Sequence, residues 1–213
     1  MRREGRITAG QQRALAELLP PLELRYAPQP AELGVLFGRV APLVVEIGFG
    51  AGEALAARAA AHPDQDHLGI EVHRPGAGRL LLTVEQLGLA NVRISTHDAV
   101  EVLRDQLADG ALARVLLLFP DPWPKKRHHK RRIVEPRFAA LVAAKLAPGG
   151  CFQLATDWAP YAERMREVLD AEPALANLHP GFAPRPAERP LTRFERRGAR
   201  LGHEVFDLEY AKR

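Results

Sequence analysis

A doubly wound α/β fold with a mostly parallel sheet is what this chain predicts, and three observations predict it. Apolar, β-branched runs of strand length recur at Leu43–Ile47, Leu68–Val72, Val92–Ile94, Val115–Phe119 and Phe152–Ala155. Segments of helical character separate them. The runs are continuous rather than alternating, so each strand is expected to be buried on both faces, as in a parallel sheet covered by helices.

The helical segments justify themselves in turn. Glu53–Ala61 is rich in alanine and Arg79–Leu87 in leucine. Pro136–Leu146 sets Phe138, Leu141, Val142 and Leu146 on one face before Pro148-Gly149-Gly150. Trp158–Leu169 repeats Tyr161, Met165, Val168 and Leu169 at helical spacing. Residues His203–Tyr210 alternate Val205 and Leu208 with charged neighbours, like a terminal strand. Upstream, Gln11–Leu19 is a short amphipathic helix candidate, followed by a linker spaced by Pro20, Pro21, Pro28 and Pro30. At 213 residues and 46% apolar composition, the chain suits one sizeable domain over residues 41–213, preceded by an N-terminal extension over residues 1–40.

Composition narrows the class of partner. No uncharged apolar stretch of about 18 residues is present, and Met1–Arg6 leads into a polar run rather than a signal-peptide core, so a soluble, cytoplasmic protein is expected. The single cysteine, Cys151, excludes an internal disulfide and a cysteine-rich metal site, and no metal is expected. The net charge is +4, but it is concentrated. Lys125, Lys126, Arg127, Lys130, Arg131 and Arg132 surround His128 and His129; without those six cations, 24 basic residues face 26 acidic ones. Arg185, Arg189, Arg193, Arg196, Arg197 and Arg200 form a second cationic segment. Cationic patches on a slightly acidic body suit a polyanion, because phosphate contacts dominate affinity for nucleic acids.

Four constellations carry chemistry. Glu46-Ile47-Gly48-Phe49-Gly50-Ala51-Gly52 stands where a buried strand turns into a helix, and its glycines let a ligand approach the main chain. Glu71, in Gly69-Ile70-Glu71-Val72-His73, lies about 20 residues on, where an acid accepts hydrogen bonds from a ribose. Asp98 follows the third strand, so Glu46, Glu71 and Asp98 are expected at the carboxyl ends of successive strands, the ligand-binding edge of open α/β sheets. Taken singly, each acid is equally well a helix cap or a loop residue.

Second, Leu118-Phe119-Pro120-Asp121-Pro122-Trp123-Pro124 follows the fourth strand and runs into the basic octet. Prolines fix the backbone about Asp121, and Trp123 offers a flat face for a base. Third, Thr156-Asp157 closes the fifth strand, with Asp157 either a ligand or the cap of the next helix. Fourth, Thr192-Arg193-Phe194-Glu195 interleaves an aromatic with charges in a late loop of the kind that closes over ligands.

Assembled, these residues resemble the bacterial tRNA (guanine-N7)-methyltransferase family. The resemblance spans most of the chain: Arg6-Ile7-Thr8 to Ala14, Glu46–Gly52, Gly69–Gly76, Phe119–Trp123 with Lys125, Arg127, His128 and Lys130–Arg132, Thr156-Asp157, and Thr192–Glu195. Arg193 stands where many relatives have lysine, and Pro124 fills a variable position. The resemblance implies a class I S-adenosylmethionine-dependent methyltransferase (Rossmann-like) fold, S-adenosyl-L-methionine as methyl donor, and methylation of the variable-loop guanosine, guanosine 46, of tRNA.

By position it makes Glu46, Glu71, Asp98 and Asp121 the cofactor-site acids, beside Gly48, Gly50 and Gly52. Asp121 is also the implied catalytic residue. Lys125, Asp157, Thr192, Arg193, Phe194 and Glu195 look like the substrate-binding set, and Arg127, His128, His129, Lys130, Arg131 and Arg132 are expected to grip phosphates. A monomer or homodimer is expected. Three other readings fit less of the chain. DNA-adenine methyltransferases place two prolines between acid and aromatic where Asp121-Pro122-Trp123 has one; a non-catalytic RNA-binding protein leaves the strand-end acids unused; a nicotinamide dehydrogenase leaves the basic segments unused.

Overall fold

The computed structural model describes residues 7–191, 195–196, 202 and 204–213. They fall into two compact units that divide between Ala108 and Asp109.

In the first unit, β1 (Leu43–Ile47), β2 (Asp66–Ile70) and β3 (Val92–Ser95) lie in the order β3-β2-β1, all parallel. Every residue of β1 and β2 is buried; β1 is the apolar run read from the sequence, whereas β2 begins two residues before Leu68, at the buried Asp66 and His67, and ends two residues before Val72. Helices α4 (Glu53–Ala61) and α5 (Arg74–Leu87) follow β1 and β2 and pack their apolar faces into one core with Phe49, Val92 and Ile94. Gly88, with φ of 63°, ends α5 in the left-handed conformation that glycine adopts without cost.

The N-terminal segment belongs to that core. Helix α1 (Ala9–Glu17) starts with a capping box: Thr8 Oγ1 accepts the Gln11 N–H, and Gln11 Oε1 accepts the Thr8 N–H. Ala14 is fully buried among Leu80 and Leu81 of α5. A Cβ on Gly78 would come 2.9 Å from the Gln11 Cβ, so the glycine permits the close approach of α1 to α5. Helix α2 (Leu19–Leu22) follows, and Leu24 N–H then donates to Ile94 O, covering the free edge of β3. A further short helix, α3 (Leu33–Phe37), follows, none of whose residues is buried although four of the five are large and apolar.

In the second unit, β4 (Leu112–Leu118), β5 (Leu146–Thr156), β6 (Leu175–Asn177) and β7 (Phe206–Lys212) lie in the order β4-β5-β7-β6. β4 and β5 are parallel, whereas β7 is antiparallel to both its neighbours. The sequence places β5 from Phe152, but Leu146 already pairs with Leu112, and the register then jumps to Arg114 opposite Cys151. Pro148-Gly149-Gly150 is therefore a bulge inside the strand. Helix α7 (Pro136–Lys145) leads into β5, and α8 (Ala159–Asp170) buries Tyr161, Met165 and Leu169. The short helix α6 (Ala99–Glu101) follows β3 in the first unit. No helix among the described residues is long and apolar enough to cross a membrane.

Candidate active site and nucleic-acid interface

The glycine turn is built as the sequence suggests, with a different reason for each glycine. Gly48, Gly50 and Gly52 all have positive φ (69°, 57° and 77°), which L side chains adopt only with strain. A Cβ on Gly52 would sit 2.6 Å from Leu80, so that position serves packing against α5. Gly48 is exposed, and a Cβ there would meet nothing within 4 Å. The space beside it is open.

Glu71, the residue after β2, closes the turn. Its Oε2 accepts the Gly50 N–H at 3.0 Å and its Oε1 accepts the His73 N–H at 2.8 Å. Each carboxylate oxygen keeps further acceptor capacity for a ligand hydroxyl. The Gly50 carbonyl lies against Gly76, where an added Cβ would come within 2.1 Å of it. Gly76 thus completes the turn from the first turn of α5, a role visible in sequence only as a glycine in Arg74-Pro75-Gly76.

Glu46 is the fourth of five residues in β1, one residue before its carboxyl end, and is only 3% exposed. Burial pushes that carboxyl up to about 8, with the positive charge of Arg58 opposing the shift. Its Oε2 has no hydrogen-bond partner, and such an orphaned buried polar atom beside a glycine turn fits a site that receives a polar ligand. Asp98 stands beyond β3 and is the N-cap of α6, its Oδ1 accepting from Val100 N–H at 2.9 Å. Structural capping is realised there. Beside it, Tyr26 stacks on His97 with centroids 3.8 Å apart, and Tyr26 Oη donates to Asp105; no sequence pattern announces that contact.

In the second unit, Phe119 N–H donates to Ala155 O and adds one last rung after β4. The chain then leaves the sheet in a constrained path: Phe119 and Trp123 have φ of 52° and 44°, left-handed values uncommon for bulky residues and concentrated at functional sites. Asp121 lies between them, exposed.

The basic octet forms a 3-10 helix over Lys126–Arg131, entered from Lys125. Lys125, Lys126, Arg127, Lys130 and Arg131 are exposed, and His128 and His129 are half-buried. Arg132 corrects the phosphate expectation. It is 8% exposed, its Nε donates to Pro122 O at 2.9 Å, and its guanidinium packs over the Tyr161 ring at 4.7 Å. The chain buries this arginine because it satisfies a carbonyl of the proline motif and rests on an aromatic face. It braces the loop rather than facing a phosphate.

Glu195 requires a similar revision. It is 5% exposed and accepts from Arg185 Nε at 2.9 Å and from Arg189 Nη1 at 2.6 Å. Arg189, itself buried, also pairs with Asp207 at 3.0 Å and lies 5.5 Å over the Phe119 ring. Two arginines of the second cationic segment are thus neutralised internally, since buried charges demand partners. Thr192, Arg193 and Phe194 lie outside the described residues. Asp157 follows β5 directly, and the N-cap of α8 is the next residue, Trp158. Among the described residues, no group of His, Cys, Asp and Glu is arranged to hold a metal ion.

Comparison with known proteins places this geometry. A family model described as a putative methyltransferase matches residues 40–208. The tRNA (guanine-N(7)-)-methyltransferase of Alkalilimnicola ehrlichii is 60% identical over all of this chain and 91% of its own length. Its namesake from Aromatoleum aromaticum is 57% identical, covering 99% of this chain and 82% of that protein. Among solved structures, the 16S rRNA methyltransferase KamB superposes with a TM-score of 0.66 at 16% identity, over 85% of this chain and 92% of that one. The 16S rRNA (adenine(1408)-N(1))-methyltransferase of Catenulisporales acidiphilia gives 0.57 at 15% identity, over 83% and 90%; a variant of it was crystallised with its cosubstrate SAM. These likenesses bear out the Rossmann-like α/β fold class read from the strand pattern.

Proposed function

The chain belongs to the tRNA (guanine-N7)-methyltransferase family, and on that footing we propose that it methylates N7 of the variable-loop guanosine of tRNA, in the cytoplasm, as a monomer or homodimer. The observation that carries this reading is 60% identity to a tRNA (guanine-N(7)-)-methyltransferase over the whole chain. The cofactor is S-adenosylmethionine, which when bound supplies a methyl group activated on a sulfonium centre.

The chain's residues fit that cofactor. Gly48 offers open backbone, Glu71 offers acceptor capacity for ribose hydroxyls, and the buried Glu46 Oε2 lacks a partner. Asp98 is the further acid that we assign to this site, although it also caps α6. The exposed Lys125, Arg127, Lys130 and Arg131 supply the cationic surface for the tRNA backbone.

Guanine N7 carries an in-plane lone pair and no proton, so the reaction needs no general base. Alignment and electrostatics suffice, and good positioning can supply about 7–11 kcal/mol of a barrier. We assign Asp121 the catalytic role: an exposed carboxylate on a loop fixed by prolines and two left-handed residues can hold the guanine edge and offset positive charge arriving on the purine. Asp157 and Thr192–Glu195 remain the proposed substrate-binding set, with Glu195 acting from its arginine pairs. The experiment is methyl transfer from labelled cofactor to tRNA, to DNA and to 16S rRNA in parallel. Incorporation confined to tRNA supports the reading; incorporation into either other polymer in its place overturns it.

A further inference from the structure

Trp123 occupies an unusual position. Its backbone is left-handed, with φ of 44°, and the preceding carbonyl, Pro122 O, is held by the buried Arg132. The Arg131 guanidinium lies 4.8 Å over the indole ring, and His128 meets the ring edge-on at 5.8 Å and 88°. Arg131 and Arg132 are adjacent in sequence but differ in burial: Arg132 is inside and bracing, and Arg131 is exposed on the aromatic face.

We propose that the Trp123 face is a stacking site for an unpaired nucleobase of the bound RNA, and that Arg131 covers this face in the free protein and leaves it for a phosphate when the RNA arrives. The inference rests on the tRNA reading above and adds a site to it. Three features carry it. An exposed cation over an aromatic ring is a weak contact, whereas a base stacked on such a ring is a stronger one, so the exchange runs toward the base. The displaced guanidinium gains a charge-assisted, bidentate partner in a phosphate, so it loses nothing by moving. The ring itself is held from below: Arg132 fixes Pro122, and a left-handed residue flanked by Pro122 and Pro124 has little freedom to turn away. A hydrophobic anchor for the fold would be covered by apolar side chains; this indole is half-buried and faced by a cation and an imidazole.

Two tryptophans are present, Trp123 and Trp158, so Trp158→Phe leaves Trp123 as the only indole reporter. In that protein, saturating unmodified tRNA should quench the Trp123 emission and protect it from acrylamide. Arg131→Ala should raise acrylamide quenching of the free protein and leave the protection by tRNA intact. Trp123→Ala should weaken tRNA binding by roughly five- to hundredfold, with Trp123→Phe recovering most of it. If tRNA binds the parent protein but emission and quenching do not change, and Phe restores no more than Ala, the stacking site is wrong while the tRNA reading stands. If tRNA does not bind the parent protein at all, both fall.

Discussion

Glu71 Oε2 accepts the Gly50 N–H at 3.0 Å, so the acid that follows β2 holds the glycine turn that follows β1. One carboxylate thus shapes the turn and stays available to a ligand. Glu71→Ala should weaken S-adenosylmethionine binding at least about tenfold, the scale of a hydrogen bond to a charged group. Titration calorimetry checks this, and affinity for tRNA should stay within about twofold. Equal losses for both ligands would mean that Glu71 supports the fold generally.

Gly76 is confined by the Gly50 carbonyl, and a Cβ would approach it to 2.1 Å. Gly76→Ala should therefore destabilise the protein by about 1–3 kcal/mol, as overpacking does, and weaken cofactor binding. Thermal melting with and without cofactor checks both. Gly88→Ala, with open space around it, should cost only the strain of a left-handed residue and leave cofactor binding unchanged.

Neighbouring cations should separate by burial. Lys130→Ala should weaken tRNA binding and make its salt dependence shallower, by close to one unit of slope for each phosphate that is no longer neutralised. Arg132→Ala should instead lower stability by about 1–3 kcal/mol, because it strips the partner from Pro122 O. Its salt slope should not change beyond what loop disorder causes. A full unit of slope missing in Arg132→Ala would return that residue to the phosphate-binding surface.

The Glu46 carboxyl is pushed up to about 8 by burial, from an ordinary value of 4.5. Between those values the folded protein holds a proton that the unfolded chain has released, so this group's stabilising contribution falls as pH rises from about 4.5 to about 8 and levels off above. Glu46→Gln carries no titrating group. Its stability relative to the parent protein should therefore rise over that window and then flatten; a difference that is constant with pH would mean that Glu46 is ionised in the folded protein.

Much of this was legible in the sequence. β1 and α4 have the bounds that their apolar and alanine-rich patterns give, since burial on both faces leaves little choice. α5 starts five residues earlier than its leucine run, because Arg74-Pro75-Gly76 resembles a turn although proline suits the first turn of a helix. The glycine turn with Glu71 was readable because both halves are local motifs. Arg132 and Glu195 were not, because their partners lie on other segments and charge alone does not say whether a side chain faces water or a carbonyl. Gly76 was hidden for the same reason: only the fold brings the Gly50 carbonyl against it.

The most direct test of the central claim is nucleoside mapping after reaction with unmodified tRNA. The protein, S-adenosylmethionine and a tRNA transcript are incubated, and the product is digested and sequenced for its modified position. The account predicts 7-methylguanosine at the variable-loop guanosine, with Asp121→Ala binding tRNA normally but losing most of the turnover. A different methylated base, or 7-methylguanosine formed at near-normal rate by Asp121→Ala, would contradict it.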